Sequence, residues 1–197
     1  MASLLPFLLF AFVASITPGP TNILVLSHSS RRGLIATLPI IFGACAAAAL
    51  IVLVVGLGAG ETLLRFPRVQ QAMAWAGVLW LSWLAGQIFR SPPPSLDPKS
   101  QEQSLSVFGA ALLQLVNPKV WMMAVAVVSV FVGGGDKTLR LLVLSLAFLL
   151  VSLPCMTLWA LLGVGSARLL SSPQAFKRMN AALALLLLLS AWLAVLV

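Results

Sequence analysis

The chain alternates long apolar runs with short polar breaks, and the lengths of the runs carry the first structural reading. A helix crossing a bilayer needs about 20 predominantly apolar residues. Six stretches meet or approach that length: residues 4–28, 35–59, 69–89, 106–132, 139–164 and 179–197. The breaks between them hold Arg31-Arg32-Gly33, Gly60-Glu61 through Arg68, Arg90 through Gln103, Gly133-Gly134-Gly135-Asp136-Lys137, and Ser171-Ser172-Pro173 through Arg178. The third break is the longest, is rich in Pro and Ser, and lies near the midpoint. It divides the chain into residues 1–90, a linker at 91–104 and residues 105–197, with three predicted spans on either side. Three is odd, so the second half enters the membrane from the opposite face, which is the arrangement of an inverted repeat. The predicted fold is an all-α polytopic membrane protein of six transmembrane helices in two inverted three-helix repeats.

Two runs are interrupted from within. Thr17-Pro18-Gly19-Pro20-Thr21-Asn22 breaks the first and Asn117-Pro118-Lys119 breaks the fourth. Proline removes a backbone donor and crowds the preceding turn, and glycine relaxes the restriction on φ, so helices one and four are predicted to stop, kink or unwind there. Non-helical backbone at membrane depth is tolerated where it is buried in protein or lines a wet cavity. Either break alone also reads as an ordinary membrane-helix kink. A matched pair, one in each half, points instead to a transporter's binding site.

Composition agrees with a membrane protein: 61% of the residues are hydrophobic, 8% are charged, and mean hydropathy is +1.09, far outside the range of soluble domains. The net charge of +8 raises the question of nucleic acid. The Lys and Arg residues lie mostly singly or in twos between apolar runs, so no nucleic-acid partner is expected and the charges are read as setting orientation. Breaks one, three and five carry Arg31, Arg32, Arg90, Lys99, Arg168, Lys177 and Arg178, whereas breaks two and four carry Arg65, Arg68, Lys137 and Arg140. The positive-inside bias then places the linker in the cytoplasm and both termini outside. Cys45 and Cys155 lie inside apolar runs and read as small packing residues rather than a disulfide. Val13-Ala14-Ser15 loosely resembles a signal-cleavage site, but no basic segment precedes it and the apolar pattern resumes beyond it, so the first span is expected to be retained.

The candidate chemistry is narrow. All four acidic residues, Glu61, Asp97, Glu102 and Asp136, fall in breaks or at span ends. Paired-carboxylate hydrolysis and carboxylate metal sites are therefore not expected. One histidine and two separated cysteines do not make a zinc cage, and no phosphate loop is present. The expectation is a protein that is not an enzyme, with no catalytic residue, metal site or cofactor. Lys119 is the basic group that lies well inside an apolar run. A charge at the bilayer centre costs about 2.5–3.5 kcal/mol on insertion scales. Lys119 either faces a partner or a wet cavity, or snorkels to an interface roughly 20 Å from the outer end of its run. With no acid in reach, a substrate carboxylate is a plausible partner. Ser15, Thr17, Thr21 and Asn22 cluster about the first break, where they either satisfy freed backbone groups or bind the polar ends of a small zwitterion. The helix that starts after Pro20 aims its N-terminal amides into the break, which favours an anionic group. The candidate substrate site is Thr17, Pro18, Gly19, Pro20, Thr21, Asn22, Asn117, Pro118 and Lys119. His28, beside Arg31 and Arg32, reads as interfacial in preference to a proton relay. Gly43, Gly56, Gly58, Gly60, Gly77, Gly86, Gly163 and Gly165, with the alanine run Ala46 to Ala49, read as points of close helix contact.

The motifs taken together resemble one family. Thr17-Pro18-Gly19-Pro20 with Asn22, the Arg32-Gly33 turn, Trp75-Ala76-Gly77 leading to Trp83-Leu84-Ala85, and Leu115-Val116-Asn117-Pro118-Lys119 look like the LysE/RhtB family of amino acid exporters, over nearly the whole chain. Leu113-Gln114-Leu115-Val116-Asn117 and Trp159-Ala160-Leu161-Leu162-Gly163 look most like its cysteine and O-acetylserine exporter branch. Members of the homoserine and threonine branch often carry an aspartate in the fifth span, where this chain has Ser152 to Cys155. The resemblance implies a secondary transporter in the inner membrane that exports small neutral amino acids or their derivatives, driven by an ion gradient through alternating access. The expected partners are a small zwitterionic amino acid, the lipid bilayer and, as one open state of assembly, a second copy of the chain. A transporter of another solute or a cation, and a scaffold or accessory subunit, remain as rival classes.

Overall fold

The computed structural model describes residues 4–59, 65–90, 106–132, 136–169 and 172–196. Every element among them is helical. Helix α1 (Leu4–Ile16) ends where Pro18 has no N–H with which to continue it. The Thr17 amide makes its last helical bond, to Val13 O at 3.0 Å. Gly19 then caps α2 (Pro20–Val54), and Pro20 sits in the first turn, where a missing N–H costs nothing. Gly19 is simply extended, at φ −163° and ψ 176°, so it makes no use of the conformations open only to glycine.

Helix α2 is not a straight rod. At Gly33 the backbone takes φ 80° and ψ 176°, a region essentially reserved for glycine. His28 Nδ1 lies 3.0 Å from Thr37 Oγ1, although nine residues of straight helix would rise about 13.5 Å. The chain therefore folds back at Gly33 into two arms, the second ending in a π turn over Val55–Ala59. Where the sequence predicted a polar break at Arg31-Arg32-Gly33, one glycine reverses the chain, and the first two predicted spans meet within α2.

Helix α3 (Pro67–Arg90) matches the third predicted span. The fourth divides into α4 (Val107–Leu115), capped by Ser106, and α5 (Pro118–Phe131), capped by Asn117 with Pro118 in the first turn. The two are bent by 65°. Helices α6 (Lys137–Leu169) and α7 (Pro173–Leu196) complete the chain. Three helical stretches, Pro20–Ala59, Pro67–Arg90 and Lys137–Ser166, are long and apolar enough to cross a membrane, and the α4–α5 pair makes a fourth. The linker at 91–104 and the glycines at 133–135 lie outside the described residues.

Packing buries polar groups alongside an apolar core and leaves apolar side chains on the outside. Helix α6 lies along α2 in the most extensive contact of the fold, and α3 packs along α7. Helix α1 rests on α6, and α4 rests on α2, where Ala110 meets Ile40 and Ala44. Phe7, Ala11, Val52, Val120, Ala124, Val127 and Leu141 are buried in one cluster at the heart of the bundle. Ser15, Thr21, Asn22, Ser27, His28, Thr37, Gln114 and Asn117 are buried as well. On the outer face of α6, Leu139, Leu142, Leu146 and Leu150 are exposed at helical spacing. Exposed apolar stripes around a buried polar interior are what a hydrocarbon solvent selects.

Candidate functional site

The two proline breaks meet. Lys119, in the first turn of α5, crosses to the first break and donates from Nζ to Thr17 O at 2.9 Å. A Cβ on Gly19 would lie 3.1 Å from that Nζ and 3.2 Å from Lys119 Cδ, tighter than ordinary contact. What glycine supplies here is clearance for the lysine side chain, not freedom in φ. Thr17 O is one of the carbonyls left free at the end of α1, where the helix dipole is negative, which makes it a suitable neighbour for an ammonium. A primary ammonium has three donors, and Thr17 O takes one of them.

A buried amide and hydroxyl network joins the breaks behind the lysine. Thr21 Oγ1 accepts from Gln114 Nε2 at 3.1 Å and from Asn117 Nδ2 at 3.3 Å. Asn117 Oδ1 accepts from the Lys119 amide at 3.2 Å, which fixes the start of α5. Asn22 Nδ2 donates to Ser15 O at 2.9 Å and so ties the start of α2 to the end of α1. Trp159 Nε1, on α6, donates to Ile16 O at 3.2 Å and satisfies a second carbonyl of that end. Val116 O, in the second break, presses against Gly77 of α3, where a Cβ would overlap it.

Between the breaks lies a cavity of about 50 Å³. At roughly 10–15 Å³ for each water, this is room for a few waters or one small polar group. Its walls include Ser15, Gly19, Pro20, Thr21 and Asn22 from the first break, and Gln114, Asn117 and Lys119 from the second. The remainder is apolar or sulfur-bearing, with Cys45, Met123, Phe148 and Met156 prominent, together with Ser152, whose hydroxyl donates to Leu149 O at 3.1 Å. No carboxylate lines the cavity among the described residues. The Ser15 hydroxyl is buried without a hydrogen-bond partner among the described residues, and it sits on this wall.

Of the residues singled out in the sequence, Gly19, Pro20, Thr21, Asn22, Asn117 and Lys119 line the cavity directly. Thr17 contributes its carbonyl to Lys119, while its hydroxyl turns back to Val13 O. Pro18 and Pro118 shape the backbone without lining the cavity. Gln114, Cys45, Ser152, Phe148 and Met156 were not expected there. For Gln114 a signal existed, since it is an amide in an apolar helix three residues before Asn117. For Ser152 the signal was its place in the fifth span, where the homoserine and threonine branch often carries an aspartate; for Cys45 there was none, because only packing sets which face of α2 turns inward. His28, read as interfacial, is buried in the protein at 7% exposure on the first arm of α2. The fold at Gly33 is what covers it.

Comparison with known proteins gives the family. Residues 12–196 match the LysE type translocator family. The chain belongs to that family. Translocator membership accounts for the long apolar helices, and it bears out the resemblance carried by the two proline motifs. Among its relatives, a cysteine/O-acetylserine efflux protein of Escherichia coli O157:H7 is 30% identical over 184 residues, covering 92% of both chains. One of Shigella flexneri is 31% identical over 189 residues, covering 92% of this chain and 94% of the relative. The Escherichia coli K12 protein of the same description is 30% identical over 183 residues. No solved structure matches the chain.

Proposed function

We propose that the chain is a secondary transporter that exports small neutral amino acids or derivatives of the cysteine and O-acetylserine kind, by alternating access. The substrate carboxylate is held at the two breaks by Lys119 and by the first-turn amides of α2 and α5, both of which begin with a proline after an extended cap. Asn117, Thr21, Asn22 and the free Ser15 hydroxyl hold the other polar groups. The observation that carries the reading is Lys119: a buried-facing ammonium with one carbonyl partner, on the wall of a cavity with no carboxylate among the described residues. Such a charge is expensive in a membrane unless an anion meets it. The names of the relatives support a small amino acid as that anion.

The architecture that suits this function is six spans, with α1 and the first arm of α2 as the first and the α4–α5 pair as the fourth. The contacts support two inverted halves, since α1 rests on α6 as α4 rests on the second arm of α2, and the third span of each half packs on the other. In this arrangement the chain sits in the bacterial inner membrane with both termini periplasmic. Thermal-shift measurements on the purified protein against an amino acid panel test the substrate assignment. Small neutral amino acids are expected to raise the melting temperature of the wild type and to lose that effect in Lys119→Met. Equal stabilisation of both proteins would remove Lys119 from the site.

A further inference from the structure

His28 is a buried titratable group for which the substrate site has no use. It lies six residues beyond Asn22 on the first arm of α2, about 9 Å further along the helix from the cavity wall. Its Nδ1 meets Thr37 Oγ1 at 3.0 Å across the fold at Gly33. The Thr37 hydroxyl donates to Gly33 O at 2.7 Å, so its proton is committed and it can only accept from the ring. The imidazole therefore carries its proton on Nδ1 and leaves Nε2 as a bare acceptor. That Nε2 is buried and has no hydrogen-bond partner among the described residues.

A second proton on this ring has nowhere to be received. Protonation at Nε2 would add a donor with no acceptor and a positive charge in a buried site, and each is costly. The charged groups acting on His28 are Arg31 and Arg32 of its own element, and both oppose a further positive charge. From α6, the residues described against this arm are uncharged, with Gly163 against Ser29 and Leu26. On α7, Lys177 and Arg178 are exposed and also cationic. The arrangement described here thus favours the neutral ring. Charging the ring selects a different packing about the Gly33 fold, because a ligand shifts an equilibrium by the difference in its affinity for the two states.

We propose that His28 is the proton-binding site that couples export to a proton gradient. One proton binds Nε2 when the chain is in its other arrangement and is released on return to this one, in exchange for one substrate molecule carried the opposite way. The N–H bond formed on one face of the membrane is broken on the other, and the ring ends each cycle neutral. Among side chains described within the helices, His28 is the one whose ordinary pKa, about 6.5, lies in the physiological range. The proposal rests on the reading of the chain as an exporter.

His28 is the single histidine of the chain, so ¹⁵N-histidine labelling in nanodiscs reports on it alone. The expected spectrum at high pH is that of the neutral ring protonated on Nδ1. Saturating reduced L-cysteine is expected to move the titration midpoint by at least about 0.7 of a pH unit, the five-fold lower end of ordinary coupling between sites. In proteoliposomes, His28→Asn keeps a donor near Nδ1 for Thr37 but cannot take the second proton. It is expected to retain L-cysteine counterflow while losing accumulation driven by an imposed pH gradient. Gradient-driven accumulation in His28→Asn, or a wild-type midpoint unmoved by L-cysteine, overturns the proposal, and the second readout does not depend on the variant folding. Absence of counterflow in the wild type would instead count against the exporter reading.

Discussion

Gly77→Ala adds one methyl group to α3 at the point where the second break leans on it. A Cβ there overlaps the Val116 carbonyl oxygen and reaches ordinary contact with Pro118 Cδ at 3.7 Å. The obstacle is backbone and cannot rotate away, so either α3 or the break must move. Gly86 lies on the same helix, nine residues on, and a Cβ there meets nothing within 4 Å. Both substitutions gain the same helix-propensity term, about 0.8–1.0 kcal/mol for alanine over glycine. The difference between them therefore isolates the overlap, and overpacking of this kind costs about 1–3 kcal/mol. Reversible unfolding in mixed detergent micelles should place Gly77→Ala below Gly86→Ala by that margin, with Gly86→Ala at or above the wild type. Counterflow should fall in Gly77→Ala, since Asn117 and Lys119 move with Val116, and stay at the wild-type level in Gly86→Ala. Equal stability and equal flux in the two variants would show that the break does not depend on α3 for its position.

Other substitutions test the remaining joints. Gly33→Ala forces a Cβ onto backbone at φ 80° and ψ 176°, and should cost on the order of 1–3 kcal/mol in the same unfolding assay. Gln114→Leu leaves Thr21 and Asn117 short of a partner in a buried network; a loss of about 1–3 kcal/mol is expected, and no change in stability would count against the network. Ser15→Ala removes a hydroxyl that bonds nothing among the described residues. Its stability should hold or rise, while substrate affinity measured by titration calorimetry should weaken by roughly two- to twelve-fold, the worth of one hydrogen bond.

The breaks were legible in the sequence because proline and glycine punctuate an apolar run in a way that a membrane penalises. Lys119 was legible for the same reason, as a charge where charge is costly. Other features were hidden by the chain's own folding. Arg31-Arg32-Gly33 was legible as a polar turn, and the chain does reverse at Gly33, though the composition did not show that one glycine with φ 80° would do it. The burial of His28 was not legible, because it depends on the second arm of α2 folding over it. Cys45, Phe148 and Met156 carry no mark that separates a cavity wall from a packed core, since apolar and small residues serve both. Their role follows from which faces of α2 and α6 meet, and periodicity does not resolve this in helices that are apolar all round.

The most direct measurement of the central claim is counterflow in proteoliposomes of the purified protein. Vesicles loaded with unlabelled L-cysteine or O-acetyl-L-serine should concentrate the labelled amino acid from outside, and Lys119→Met, folded and reconstituted to the same level, should not. Full counterflow in Lys119→Met, or none in the wild type with any small neutral amino acid, would contradict it.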